Sequence, residues 1–155
     1  MAIEIERKFL LKSADWRQLV VSSDLIQQGY LSTVPEKTVR VRSRGEKAFL
    51  TIKGKNEGLS RLEFEYEIPA SDAQDLLKLC DQSISKTRHL VHQGDLVWEI
   101  DEFHDLNRGL ILAEIELKSE SQEFPLPCWI GEEVSNDARY YNSNLTTHPF
   151  SVWNC

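Results

Sequence analysis

Charged residues recur two apart along nearly every apolar stretch of this chain, and only an extended strand turns that spacing into a single face. The opening run 3–9 places Glu4, Glu6 and Lys8 on one side and Ile3, Ile5 and Phe9 on the other. Run 38–44 sets Arg40, Arg42 and Arg44 against Val39 and Val41, and after the Gly45-Glu46 hairpin signal run 48–55 sets Thr51 and Lys53 against Leu50 and Ile52. Run 61–68 is the longest alternation: Arg61, Glu63, Glu65 and Glu67 oppose Leu62, Phe64, Tyr66 and Ile68. Lys86 and Arg88 follow in 83–91, Glu99 and Asp101 in 96–103 opposite Trp98 and Ile100, and Glu114, Glu116 and Lys118 in 110–118 opposite Ile115 and Leu117. With a further strand at 25–33, the pattern predicts about eight strands in up-and-down order, joined by tight turns and therefore antiparallel.

Helical signals are few. Ser13 or Asp15 caps a short helix through Trp16, Leu19 and Val20, and Ser71 caps a second whose stripe is Ala73, Leu76, Leu77 and Cys80. Beyond Ser119 the pattern loosens, with Pro125 and Pro127 as breakers and a short helix expected at 137–145. The fold class is thus α+β and mainly antiparallel β, with few short helices, in one domain spanning 1–155.

Composition removes several function classes. The net charge of −7 argues against a nucleic-acid surface, and no apolar run nears the ~20 residues of a membrane span. The N-terminus carries acids and no basic leader, so it does not read as a signal peptide. Cys80, Cys128 and Cys155 lack disulfide or zinc spacing and read as reduced thiols of a cytoplasmic protein. There is no GxSxG and no Gly-rich phosphate loop, and His89, His92, His104 and His148 have no ligand or triad spacing, so they read as surface groups.

An open sheet would leave the ionic faces in water, where they would do nothing. A sheet of about eight strands can instead close into a barrel and turn those faces inward. Two carboxylates ~4 Å apart repel by ~4 kcal/mol at an effective dielectric of ~20, or roughly three pKa units. Inward acids must therefore bind a cation, pair with bases, or take up protons. Acid pairs such as Glu114 and Glu116 suit a hard divalent ion, and the inward bases suit an elongated polyanion. A ligand that needs both is a metal-chelated polyphosphate.

Glu4-Ile5-Glu6-Arg7-Lys8 resembles the ExExK motif of the CYTH superfamily, the triphosphate tunnel metalloenzymes. Arg40-Val41-Arg42, Thr51-Ile52-Lys53-Gly54, Glu63-Phe64-Glu65, Lys86-Thr87-Arg88, Glu99-Ile100-Asp101 and Glu114-Ile115-Glu116 are similar to the family's later charged strands in the same order. The likeness covers residues 1 to about 118, and Arg139-Tyr140-Tyr141-Asn142 resembles the tail of small bacterial single-domain members, in which a C-terminal helix can close one tunnel mouth.

The resemblance implies an eight-stranded antiparallel tunnel that takes a small-molecule triphosphate with Mg2+ or Mn2+. Carried over by position, Glu4, Glu6, Glu114 and Glu116 would hold metal, and Glu63 and Glu65 a second metal and the attacking water. Lys8, Arg40, Arg42, Lys53, Lys86 and Arg88 would grip the triphosphate, with Lys86 or Arg88 at the leaving oxygens; Glu63, Glu65 and Lys86 form the expected catalytic set. Inorganic tripolyphosphate is the expected substrate, against a class IV adenylyl cyclase, a thiamine triphosphatase, or a non-catalytic polyphosphate-binding module. The outward Phe64, Tyr66, Trp98 and Ile100 are expected to be covered by a second subunit in a homodimer.

Overall fold

A computed structural model describes residues 3–153. Nine strands form: β1 (Ile3–Leu11), β2 (Val20–Ser32), β3 (Lys37–Arg44), β4 (Lys47–Gly54), β5 (Ser60–Ile68), β6 (Ser83–Gln93), β7 (Leu96–Phe103), β8 (Ile111–Glu116) and β9 (Ile130–Glu133). The helices are α1 (Ala70–Leu79) and α2 (Asn142–Thr147), with short 3-10 turns at Asp15–Leu19, Asp105–Asn107, Ala138–Tyr140 and Phe150–Val152. No helix among the described residues is long and apolar enough to cross a membrane.

The expected closed antiparallel barrel of eight strands is present, but its strands do not follow chain order. Neighbours run β5-β4-β3-β2-β6-β7-β8-β1, and β1 closes the ring on β5 through Ile3↔Leu62, Glu4↔Arg61 and Ile5↔Ser60. Every sequential pair joined by a tight turn does pair: β2–β3, β3–β4, β4–β5, β6–β7 and β7–β8. The exceptions are β1–β2 and β5–β6, whose links contain the Asp15–Leu19 turn and α1, and β8–β9, whose link is irregular. A helical link carries the chain past its neighbour, which lets β2 pair β6 and β1 pair β8.

Several local expectations shift. The first helix is a 3-10 turn after Ala14, whose Trp16 is buried, and α1 begins at Ala70 after Pro69 with no side-chain cap. Lys118 lies past the end of β8 in solvent, outside the lumen, and so does the exposed Glu67 on β5. In the tail, the helix expected at 137–145 splits into the Ala138–Tyr140 turn and α2. Strand β9 had no counterpart in the sequence reading; it pairs with the second half of β1 through Phe9↔Glu133 and Leu11↔Ile130.

The barrel wall is covered on two sides. On β3 and β4, Val41 and Ala48 sit under Ala73, Leu76 and Leu77 of α1. On β7, β8 and β1, Trp98 is fully buried, with the rings of Phe9, Phe124 and Trp129 edge-on at 5.6, 5.8 and 5.6 Å. Trp98 and Ile100 do face outward as expected, but the chain's own tail and Trp16 cover them, not a second subunit. Phe64 and Tyr66 remain exposed beside Leu62 and Ile3. One end of the interior is apolar too: Ile84, Phe103 and Leu112 pack with Tyr140 and Leu145, so the tail plugs the barrel at that end.

Candidate active site

Residues opposed across a ladder share a face, so the register says which charges meet inside. Glu6 faces Glu116, Lys8 faces Glu114, and Glu99 faces Glu114. On the far wall Arg40 lies between Tyr30 and Thr51, Arg42 beside Gln28, and Lys53 beside Glu63. Arg88 lies between Asp24 and Asp101.

A cavity of about 460 Å3 is lined by all six expected metal ligands, Glu4, Glu6, Glu63, Glu65, Glu114 and Glu116, together with Arg40, Arg42, Lys53 and Arg88. A smaller space of about 80 Å3 shares Glu4, Glu6, Arg40, Lys53 and Asn142 with it and adds Lys8, Tyr30 and Tyr141. Lys86 lines neither; it is fully buried on the inner face, beside Asp101 and Asn142.

The bases divide into neutralised and free groups. Lys86 Nζ donates to Asp101 at 2.6 Å, and Arg88 donates to both Asp101 oxygens at 2.8 and 2.9 Å and to Glu99 at 3.0 Å. Asp101 is fully buried, yet those two cations hold its carboxyl far below the usual range, Arg88 acting more strongly than Lys86. Burial pulls the Lys86 ammonium down to about 7; Asp101 opposes this, while Arg88 and Arg42 reinforce it. Among the described residues Arg40 and Arg42, by contrast, have no carboxylate within salt-bridge distance. Arg42 Nε donates to Gln28 Oε1 at 2.8 Å and Arg40 Nη2 to Thr51 Oγ1 at 3.2 Å. Burial, then Arg40 and Arg88, lower the Arg42 guanidinium to about 9, and Arg40 Nε is buried with no acceptor at all. A buried donor without a partner costs about 1–3 kcal/mol, so this corner is built for an anion.

The acids divide in the same way. Lys8 lies 3.4 Å from Glu114 and overcomes burial to hold that carboxyl at about 2. Glu4 and Glu63 share Lys53 at 3.1 and 3.3 Å. Glu6 and Glu116 have no such cation: burial, then Glu114 and Glu4, push Glu6 up to about 8, and burial, then Glu4 and Glu99, raise Glu116. Among the described residues no three His, Cys, Asp or Glu side chains converge at metal-ligand spacing. The donor chemistry nonetheless fits a hard divalent cation, since hydrogen-bonding oxygen ligands with surplus negative charge are gathered on one wall.

The sequence reading missed the neutral members of the site. Gln28 and Thr51 are fully buried against the free arginines. Tyr30 accepts from Gln28 Nε2 at 3.2 Å. In the tail, Asn142 Oδ1 accepts from Lys86 at 3.3 Å and the Tyr140 carbonyl from Lys8 at 3.1 Å. The alternation Asp24, Gln28, Tyr30 along β2 was available as a signal for the strand residues; nothing in the spacing marked Asn142. Of the histidines read as surface groups, His89 is half-buried between Ser23 and Glu102, outside the barrel.

Comparison with known proteins adds to this geometry. Residues 2–147 match the CYTH domain family. The chain is 45% identical over 152 residues to an inorganic triphosphatase of Acetivibrio thermocellus, covering 97% of each protein. It is 36% identical over 147 residues to an inorganic triphosphatase of Nitrosomonas europaea, covering 92% of this chain and 95% of that protein. A crystal structure of an inorganic triphosphatase superimposes with a TM-score of 0.67 at 33% identity, covering 94% of this chain and 95% of that one.

Proposed function

Because the chain belongs to the CYTH domain family, we propose that it acts as a single triphosphate-tunnel domain, a divalent-metal-dependent inorganic triphosphatase that hydrolyses tripolyphosphate. The observation that carries this reading is the split within one lumen: buried arginines without a counter-ion on one wall, and carboxylates without a counter-ion on the other. A bare phosphate chain would meet repulsion from the acids and a bare cation would meet it from the arginines. A metal-chelated triphosphate satisfies both walls.

In this mechanism Arg40, Arg42 and Lys53 grip the phosphate oxygens, with Lys8 at the inner end. Glu4, Glu6, Glu114 and Glu116 would hold Mg2+ or Mn2+, and Glu63 and Glu65, on the neighbouring strand β5, would hold a second ion. When bound, the metal would neutralise charge on the phosphates and the leaving oxygen. Glu65, opposite Thr51 in the β4–β5 ladder, is placed to take a proton from water attacking the terminal phosphorus in line. The water oxygen bonds to phosphorus, the bridging P–O bond breaks, and orthophosphate and pyrophosphate leave. Arg88 lines the cavity and is better placed than Lys86 for the leaving oxygens, since Lys86 does not line it and reaches it through Asn142, which does.

Incubating the protein with tripolyphosphate, ATP and thiamine triphosphate in Mg2+ or Mn2+ is expected to release orthophosphate fastest from tripolyphosphate. Pyrophosphate with a cyclic nucleotide from ATP would mean the cyclase chemistry instead, and tight binding without turnover a binding module.

The free thiols Cys80 and Cys128 support a reducing, cytoplasmic setting; Cys155 lies outside the described residues. The exposed stripe Ile3, Leu62, Phe64 and Tyr66 supports a homodimer, in which the same face of a second copy would cover it. Light scattering is then expected to give twice the chain mass, and a monomeric mass that Phe64→Glu leaves unchanged would remove the dimer.

A further inference from the structure

Two ways of fixing a buried arginine coexist in this lumen. Arg88 is held by carboxylates, which orient it and cancel its charge, whereas Arg40 and Arg42 are held by an uncharged hydroxyl and an uncharged amide. We propose that Gln28 and Thr51 are positioning residues for tripolyphosphate, neutral acceptors that aim the Arg42 and Arg40 guanidiniums while leaving their charge to the substrate. This deepens the triphosphatase reading above and rests on it.

The geometry favours this role over simple packing. Gln28 stands directly across the ladder from Arg42 and takes its Nε, which leaves the terminal nitrogens of the fork for a phosphate. Its own amide nitrogen donates to the Tyr30 hydroxyl, which fixes the oxygen toward Arg42. Thr51 stands across from Arg40 and takes only Nη2, while Nε stays unpartnered. Both acceptors are fully buried, so neither can swing into water. A glutamate in place of Gln28 would fit the same space and orient Arg42 at least as well. It would also spend the positive charge within the protein, as Asp101 does for Arg88.

The role therefore sets stability and affinity against each other. Gln28→Glu supplies the missing counter-ion and is expected to raise the melting temperature of the metal-free protein. A new unit charge about 8 Å from the bound anion, at an effective dielectric of about 20, corresponds to roughly 30-fold weaker binding. Steady-state turnover of tripolyphosphate in Mg2+ is expected to show that loss as a rise in KM with much less change in kcat. Gln28→Met removes the acceptor without adding charge and is expected to weaken binding about three- to tenfold, the value of one hydrogen bond to a charged group.

Tripolyphosphate affinity within threefold of wild type in Gln28→Glu would overturn the proposal. Should that variant fail to fold, wild-type affinity in Gln28→Met would overturn it equally. If the wild-type protein neither binds nor turns over tripolyphosphate in Mg2+ or Mn2+, the triphosphatase reading fails first and takes this one with it.

Discussion

Asp101→Ala is expected to cost the fold about 3–5 kcal/mol, because removing one partner of a buried ion cluster leaves the other charges unpaired. The cluster here is extreme: Asp101, Lys86 and Arg88 are all buried, and Asp101 is the only carboxylate on Lys86 among the described residues. Urea denaturation at neutral pH measures the loss. The carboxyl is held far below its unfolded value of 3.8. Its contribution is therefore present above that unfolded value and is lost as pH falls through it toward the folded one. Asp101→Asn should accordingly flatten the acid limb of the stability curve. An Asp101→Ala protein that unfolds at the wild-type urea midpoint would show that the cluster is neutralised some other way.

Glu6→Ala and Glu116→Ala are each expected to lower metal-dependent phosphate release by about 10²–10³-fold, the scale on which single electrostatic groups act in a transition state. The same substitutions should leave the metal-free protein folded. Burial and the neighbouring acids Glu114 and Glu4 disfavour ionised Glu6, and burial, Glu4 and Glu99 disfavour ionised Glu116, so the metal-free fold does not depend on either carboxylate. Added Mg2+ should raise the melting temperature of the wild type and do so far less for either variant. Activity retained in both would remove these residues from metal binding. A collapse of the metal-free fold would instead assign them a structural role.

The barrel was legible because a period of two is a geometric demand that no helix satisfies, and runs such as 61–68 meet it at every position. The inner face was legible for the same reason. The neighbours were not. Tight turns fix β6 against β7, and so Arg88 against Asp101, but nothing local says that β2 will find β6 or β1 will find β8. Which acids face which bases, and which are left over, depends on those long-range choices.

The cover on Trp98 was hidden for a related reason. It comes from Phe124, Trp129 and a four-residue β9 in a stretch broken by prolines, too short to show any period. A neutral residue such as Gln28 escaped because its importance lies in the charge it lacks.

The first strand carries a consequence for synthesis. One edge of β1 is divided between β5 and β9 while the other takes β8, so the backbone partners of residues 3–11 lie at 59–62, 112–117 and 130–134. Contacts this distant along the chain are slow to form. Strand β1 precedes all of its partners along the chain, so the ring stays open until β8 has been made.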